Sequence, residues 1–188
     1  MILNEQDLIL QLKRRNEAAY HHLVNAYRTP VFNTVLNILQ DAEEADDAAQ
    51  EVFIQVYHAI NTFKGESSLT TWLYRIAVRK ALDKLRQRKN RQRLQKLLPW
   101  WMPNDESPNQ VFHHPGIALE NKERAAELFK AINDLPEKQK VAFTLIKVQG
   151  IKYDEASEIM QQSIKAIESL ISRAKQNLQK QLQHYKNS

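Results

Sequence analysis

No cysteine occurs in the 188 residues, which removes disulfides, thiolate metal sites and cysteine nucleophiles together. Only three glycines are present, and almost no stretch alternates apolar with polar residues, which argues against a sheet protein, and an all-α fold is expected. No apolar run reaches the roughly 18 residues of a membrane-spanning helix. The opening MILNE lacks the basic start of a secretory signal, so the expectation is a cytoplasmic chain without membrane insertion. Metal chemistry has little to build on. The pair His113 and His114 has no companion ligands at useful spacing. No Glu has a His three residues further on, the pairing that di-iron carboxylate bundles use. Catalytic residues, metal ligands and cofactors are therefore all expected to be none, and the chain is not expected to be an enzyme.

Charge, by contrast, is abundant and sorted by sign. The net charge of +5 and pI near 9.3 favour an acidic partner. From Asp41 to Phe53, DAEEADDAAQEVF, there are six acids and no base; from Arg75 to Lys96 there are ten bases and one acid, Asp83. Two oppositely charged helices in one small unit imply two different partners. Ala45, Ala48, Ala49, Val52, Phe53, Val56, Tyr57 and Ile60 recur at helical steps and form an inner stripe, which leaves Glu43, Asp46, Asp47, Gln50 and Glu51 to project outward. In TWLYRIAVRKALDKLRQRK, from Thr71, the residues Leu73, Ile76, Ala77, Ala81 and Leu85 point to a core while the basic residues take the rest of the circumference. Gly65 breaks the pattern between these helices, and Ser67, Ser68 or Thr70 can cap the second.

A lone charge run is usually a solvated helix face. Here the basic stripe lies beside Phe63, Trp72 and Tyr74. Cations along phosphates and flat rings for displaced bases are what single-stranded nucleic acid requires, each stack contributing roughly 1–3 kcal/mol.

The rest of the chain reads as helices around one interruption. Asn4 and Asp7 signal a first helix through Arg14 or Arg15, and a second begins near Glu17. Tyr20, Leu23, Val24, Tyr27, Val31, Val35 and Ile38 keep helical spacing past Pro30, giving a bent helix or two abutting ones. Periodicity fails from Arg91 to Ile117, where Pro99, Pro103, Pro108 and Pro115 mark a linker that carries the unusual patch LLPWW, Leu97 to Trp101. A helix resumes from Leu119 to Ile132 with Ala125, Leu128, Phe129 and Ile132 inward. Pro136 opens the next, which Gly150 ends. Tyr153 to Ala174 then reads as helix, turn, helix, with Ala156, Ile159 and Met160 facing Ile164, Ile167, Leu170 and Ile171, and Ser163 as cap. Asp154, Glu155 and Glu158 occupy the first of these helices. Lys165, Arg173, Lys175, Lys180 and Lys186 follow Ser163, so the second helix is the one an anionic groove would accept. The expected organisation is two small helical domains, 1–90 and 118–188, joined by the proline-containing linker 91–117. Each would bury only about 60% of its unfolded surface, so neither should be very stable alone.

The runs DAEEADDAAQEVF, Asp41 to Phe53, and FKGESSLTTWLYRIA, Phe63 to Ala77, resemble the core of a bacterial RNA polymerase sigma factor of the small extracytoplasmic-function type (group IV of the sigma-70 family). The helical hairpin resembles that family's DNA-binding fourth region through Leu135, Pro136 and Glu137, then Tyr153, Ile159 and Ser163, then Ala166 to Ser169 and Arg173 to Lys175. The resemblance covers roughly residues 17–89 and 119–182. It implies a sigma factor that binds core RNA polymerase and directs promoter recognition, strand opening and transcription initiation. It further implies that Asp46, Asp47, Gln50, Glu51 and Phe53 dock on the polymerase. Phe63, Lys64, Ser67, Ser68, Trp72, Tyr74, Arg75, Arg79 and Lys80 would capture and hold the minus-ten element, and Lys165, Ser169, Ser172 and Arg173 would read or clamp the minus-thirty-five duplex. An anti-sigma protein is an implied third partner beside polymerase and promoter DNA. Two positions depart from the family pattern. Arg79 stands where many relatives carry Asn, and Gln161 and Gln162 stand where relatives usually turn on a glycine. A conventional helix-turn-helix regulator would account for Tyr153 to Lys175, but gives no reason for an acidic helix followed by an aromatic and basic one.

Overall fold

The computed structural model describes residues 4–95 and 122–183, except the side chains of 95 and 122–124. Most of the expected linker, with the LLPWW patch, His113 and His114, lies outside the described residues, as do Leu119 to Asn121 and Lys186. Among the described residues every regular element is helical and no strand occurs.

Local chemistry sets most helix starts. Asn4 caps α1 (Glu5–Lys13), its Oδ1 accepting the Asp7 N–H at 2.7 Å. Asn16 does the same for α2 (Glu17–Leu39) through Ala19, and Asp41 for α3 (Ala42–Ala59) through Glu44, both at 2.9 Å. Proline 30 lies inside α2, which continues as one helix; the Thr34 hydroxyl donates to the Pro30 carbonyl at 2.8 Å. A single 3-10 turn, Ile60–Thr62, leads to the loop that Ser68 closes, its Oγ accepting the Thr71 N–H at 3.0 Å at the start of α4 (Leu69–Gln95). Helix α4 runs past the expected break at Arg91. RQRKNRQRLQ, from Arg86, has no apolar stripe but also no proline or glycine, and its residues are mostly good helix formers.

The second unit begins with α5 (Lys122–Asn133) and α6 (Glu137–Phe143), with Pro136 capping α6 rather than lying inside it. A π-helical turn, Thr144–Val148, follows, and Gly150, at φ +70°, supplies the left-handed residue that ends it. Then come α7 (Tyr153–Met160) and α8 (Ile164–Leu182), the latter capped by Ser163, whose Oγ accepts the Ala166 N–H at 3.2 Å. Between them Gln161 adopts φ 52°, ψ 46°, the left-handed conformation a glycine takes with less strain.

Helices α2, α3 and α4 pack as a bundle on Leu23, Val31, Val35, Ile38, Ala48, Val52, Leu73 and Ala77, all buried, with α1 laid across it through Leu8 and Leu12. Val141, Leu145, Ala156, Ile159, Ile167 and Ile171 of the second unit join this same apolar cluster. The pooling suits two units that are each too small to bury much alone. Phe129, Ile132, Leu135, Ala174 and Leu178 form a separate cluster between α5 and α8. Three residues whose spacing points inward are exposed instead. Tyr57 is 41% exposed, its ring covered by the Arg15 guanidinium at 4.4 Å and the edge of Tyr20 at 5.3 Å. Leu128 is 39% and Ile164 46% exposed. Leu128 and Ile164 sit at the margins of their apolar stripes, one helical step from the buried Ile132 and Ile167.

Candidate nucleic-acid interface

The acidic helix does project its charge. Asp46, Asp47 and Gln50 are exposed, and Gln50 Nε2 donates to Asp46 Oδ2 at 2.8 Å across one turn. Glu51 is different. It receives Lys84 at 3.0 Å and Lys80 at 3.1 Å from α4, and hydrogen bonds from Lys84 and then Lys80 hold its carboxyl below the usual range against the opposing effect of burial. Arg88 bridges to Glu44 at 2.6 Å and to Asp41 at 3.9 Å. Part of the opposite charge on α3 and α4 is therefore spent between them, an arrangement that reading each helix alone had missed. The pairing was foreshadowed by the matching register of 80, 84 and 88 on one helix and 41, 44 and 51 on the other. Phe53 is 7% exposed and belongs to the core; a contact through its ring would require uncovering it, whereas Ile54 and Tyr57 are the apolar side chains this face presents.

The loop between α3 and α4 is held from behind by α1. Lys13 Nζ donates to the Phe63 carbonyl at 2.9 Å, and Glu5 Oε1 accepts the Leu69 N–H at 3.1 Å. Both ends of the loop are thus fixed, and Gly65, at φ +77°, supplies the bend between them. Lys64 and Ser68 are exposed and Ser67 is half-buried. The Ser68 hydroxyl is committed to the start of α4, meeting Thr71 Oγ1 at 2.9 Å as well as its N–H. Phe63 is 5% exposed and packs on Trp72 with ring centroids 5.2 Å apart. Its ring has no free face on which a base could stack; it seats Trp72, which remains half-buried at the edge.

Beyond the loop, α4 meets the second unit. Arg75 Nη2 donates to the Glu158 carbonyl in the last turn of α7 at 3.0 Å, where a cation complements the carbonyl end of a helix. Tyr74 is half-buried, and burial raises its phenol above the usual range although a hydrogen bond with Thr34 opposes the shift. Thr34 Oγ1 lies 2.9 Å from Gln149 Oε1, Gln40 Nε2 donates to the Phe129 carbonyl at 2.7 Å, and Lys89 pairs with Glu137 at 2.7 Å. Behind this seam Lys140 is buried, with Nζ 2.6 Å from Asn133 Oδ1. Burial, aided by Arg88 and Lys89, brings its pKa down to about 8. Arg79 is exposed, while Lys80 is half-buried in its pair with Glu51.

On α8, Lys165, Ser169, Ser172 and Arg173 are all exposed. Helical geometry puts them within about 100° of one another, opposite the buried Ile167, Ile171, Ala174 and Leu178. An apolar groove of about 770 Å³, lined by Leu128, Phe143, Lys147, Lys175, Leu178 and Leu182, opens elsewhere on this unit and contains none of the expected contact residues. Among the described residues no group of His, Asp or Glu is placed to hold a metal, and no helix is long and apolar enough to cross a membrane.

Comparison with known proteins returns one consistent result. Residues 23–91 match the family Sigma-70 region 2, and residues 125–178 match Sigma-70, region 4. The chain is 31% identical over 188 residues to the RNA polymerase sigma-H factor of Pseudomonas aeruginosa, with 97% of each covered. It is 29% identical over 183 residues to the ECF RNA polymerase sigma-E factor of Escherichia coli K12, covering 96% of this chain and 95% of that one. Among solved structures, CnrH in complex with the cytosolic domain of CnrY has the same fold at a TM-score of 0.68 and 19% identity, covering 96% of this chain and 97% of that one. The sigma factor RpoE of Bartonella quintana, in complex with the anti-sigma factor NepR, follows at 0.66 and 20%, covering 87% and 96%. With both family regions in order and a curated relative matched almost end to end, this chain belongs to the extracytoplasmic-function branch of the sigma-70 family of RNA polymerase sigma factors.

Proposed function

We propose that the protein binds core RNA polymerase, brings it to a promoter and opens the DNA strands there, with residues 1–90 docking and melting, 91–117 linking and 118–188 holding the upstream element. The observation that carries this reading is the succession of the two sigma regions in a chain aligned over 97% of its length with a curated sigma factor. The reading needs no bond-making chemistry from the protein: binding energy is redirected into strand separation. Exposed Asp46, Asp47 and Gln50, with Glu51 at the margin, offer the polymerase an anionic face. Lys64, Ser67 and Ser68 border the site for a displaced base of the minus-ten element, with Phe63 behind Trp72 as its support. Unstacking a base costs a few kcal/mol, which stacking on Trp72 and cation contacts from Arg75, Arg79 and Lys80 offset only when the base fits. Tyr74 and Arg75 join this grip once the seam with α7 releases them. Arg79 replaces an amide that could read a base edge with a cation suited to phosphate, so it contributes affinity more than sequence choice.

Lys165, Ser169, Ser172 and Arg173 form the face that enters the minus-thirty-five major groove. The work is done in the cytoplasm, beside polymerase and chromosome. The Bartonella relative is held by an anti-sigma factor, and a partner of that kind is proposed for this chain. Run-off transcription with purified core enzyme on a promoter library tests the reading. The expected outcome is initiation from a defined subset of promoters only when the chain is added; core enzyme equally active without it would overturn the proposal.

A further inference from the structure

The loop assigned to base capture holds little of its own shape. Phe63 and Leu69 at its ends are buried, but none of residues 64–68 is. At Gly65, with φ +77°, nothing beyond its chain neighbours lies within 4 Å of where a Cβ would stand. Chain of this kind loses conformational entropy when it closes on a ligand. What fixes it comes from α1 and the turn after it.

Side chains of Arg15, Lys13 and Glu5 reach this stretch at different points. Arg15 donates to the Tyr57 carbonyl in the last turn of α3 and covers the Tyr57 ring at 4.4 Å, a cation at the carbonyl end of a helix. Its own backbone is at φ 61°, a left-handed conformation that is unfavourable for an arginine. Lys13 donates to the Phe63 carbonyl where the loop begins. The Glu5 carboxylate accepts the Leu69 N–H where it ends, one of the donors that a helix start leaves unpaired. All three side chains are exposed, and α1 is seated on the bundle by Leu8 and Leu12 instead. Contacts from exposed charged groups add little to global stability; these set where the two ends of the loop stand.

We propose that Glu5 and Lys13 are positioning residues for minus-ten recognition: without touching DNA they hold the loop in the shape that accepts a displaced base, and so help set which base is accepted. Arg15 fixes the end of α3 from which the loop departs. A loop ordered before binding gives up less freedom when the base enters. Selectivity has the same cause, because a pocket rejects a wrong base only where its walls keep their places. The inference rests on the base-capture reading of residues 63–68 and gives α1 a part in it.

The test uses the full chain assembled with core enzyme and single-stranded minus-ten oligonucleotides that differ at one position, carrying the preferred base, each other base or an abasic site. Native protein is compared with the double variant Glu5→Ala with Lys13→Met, and with the conservative pair Glu5→Gln with Lys13→Arg, which keeps an acceptor and a donor. Alanine and methionine are good helix formers, so α1 should persist. The expected result is affinity for the preferred base lowered roughly tenfold in the first variant, the scale of ordering a few residues on binding, with affinity for the abasic strand native. Preference among bases then shrinks by the same factor, core-enzyme affinity and melting temperature stay unchanged, and the conservative pair restores the preference. Undiminished base preference in the first variant overturns the proposal. So does an equal loss on preferred and abasic strands with a lower melting temperature, because α1 is then only part of the fold. A native protein without base preference at any position fails the base-capture reading instead. The hold on the loop is then decided in the free chain by amide exchange at Leu69, which should quicken in the first variant; exchange at the native rate overturns it.

Discussion

Helices α4 and α8 are both assigned to DNA, yet they stand in opposite situations. On α8 the four assigned side chains face outward, away from the buried Ile167 and Ile171. On α4 several assigned groups already have intramolecular partners: Lys80 on Glu51, Arg75 on the Glu158 carbonyl, Tyr74 within the seam. A helix that reads duplex can keep its contact face permanently open. On the proposed reading of α4, the rings and cations meant for unpaired strand have partners inside the protein when no strand is present, and strand binding is then an exchange of partners.

The largest effect should come from the side of α4 that does not need this exchange. Trp72→Ala removes the stacking ring and should lower open-complex formation by about one to two powers of ten, from a stack of roughly 1–3 kcal/mol. Binding to closed duplex should change little. Permanganate reactivity of the promoter checks the first and mobility shift the second; native reactivity in the variant counts against the stacking role.

The seam itself should respond to pH through Lys140. Its folded pKa of about 8 is below the unfolded lysine value, so the unfolded state binds more protons between the two. Stability should therefore rise as pH increases from about 8 towards 10, by an amount on the order of 1–3 kcal/mol. Lys140→Met should flatten that rise in urea unfolding, and an equal rise in both proteins would rule Lys140 out as its source.

A comparable contrast exists on α3. Asp47 is exposed with no ion pair among the described residues, whereas Glu51 is tied to Lys80 and Lys84. Asp47→Arg should weaken core-enzyme binding about tenfold with melting temperature unchanged, while Glu51→Arg should weaken binding and lower stability by about 1 kcal/mol. Calorimetry of binding and of unfolding separates the two; equal stability losses would show that the pairing with α4 does not distinguish these acids. The smallest effect belongs to the hairpin of the second unit. Gln161→Gly should stabilise the protein by up to about 1 kcal/mol by relieving a left-handed residue, measured as a shift in the urea midpoint.

What was legible in the sequence was local. Caps at Asn4, Ser68 and Ser163 declare themselves because the bond each makes lies within three residues. The inner stripes of α3 and α4 follow from helical period, as does the outward set on α8. The errors at Tyr57, Leu128 and Ile164 arise because periodicity gives a direction but not the width of the helix that covers it. The shared apolar cluster and the capture of Arg75 by α7 depend on contacts between residues far apart in sequence, and no spacing rule encodes those.

The division of labour between an anionic helix for polymerase and a ring-bearing cationic helix for opened DNA is tested most directly by one experiment. The chain is added to core enzyme on promoters chosen from the library, and permanganate-reactive thymines are mapped. The account requires a bubble that forms only with the chain present, is diminished on Asp47→Arg in proportion to the weaker loading, and falls by about one to two powers of ten on Trp72→Ala with loading intact. A bubble undiminished by Trp72→Ala, or an Asp47→Arg protein that loads and opens normally, would contradict it.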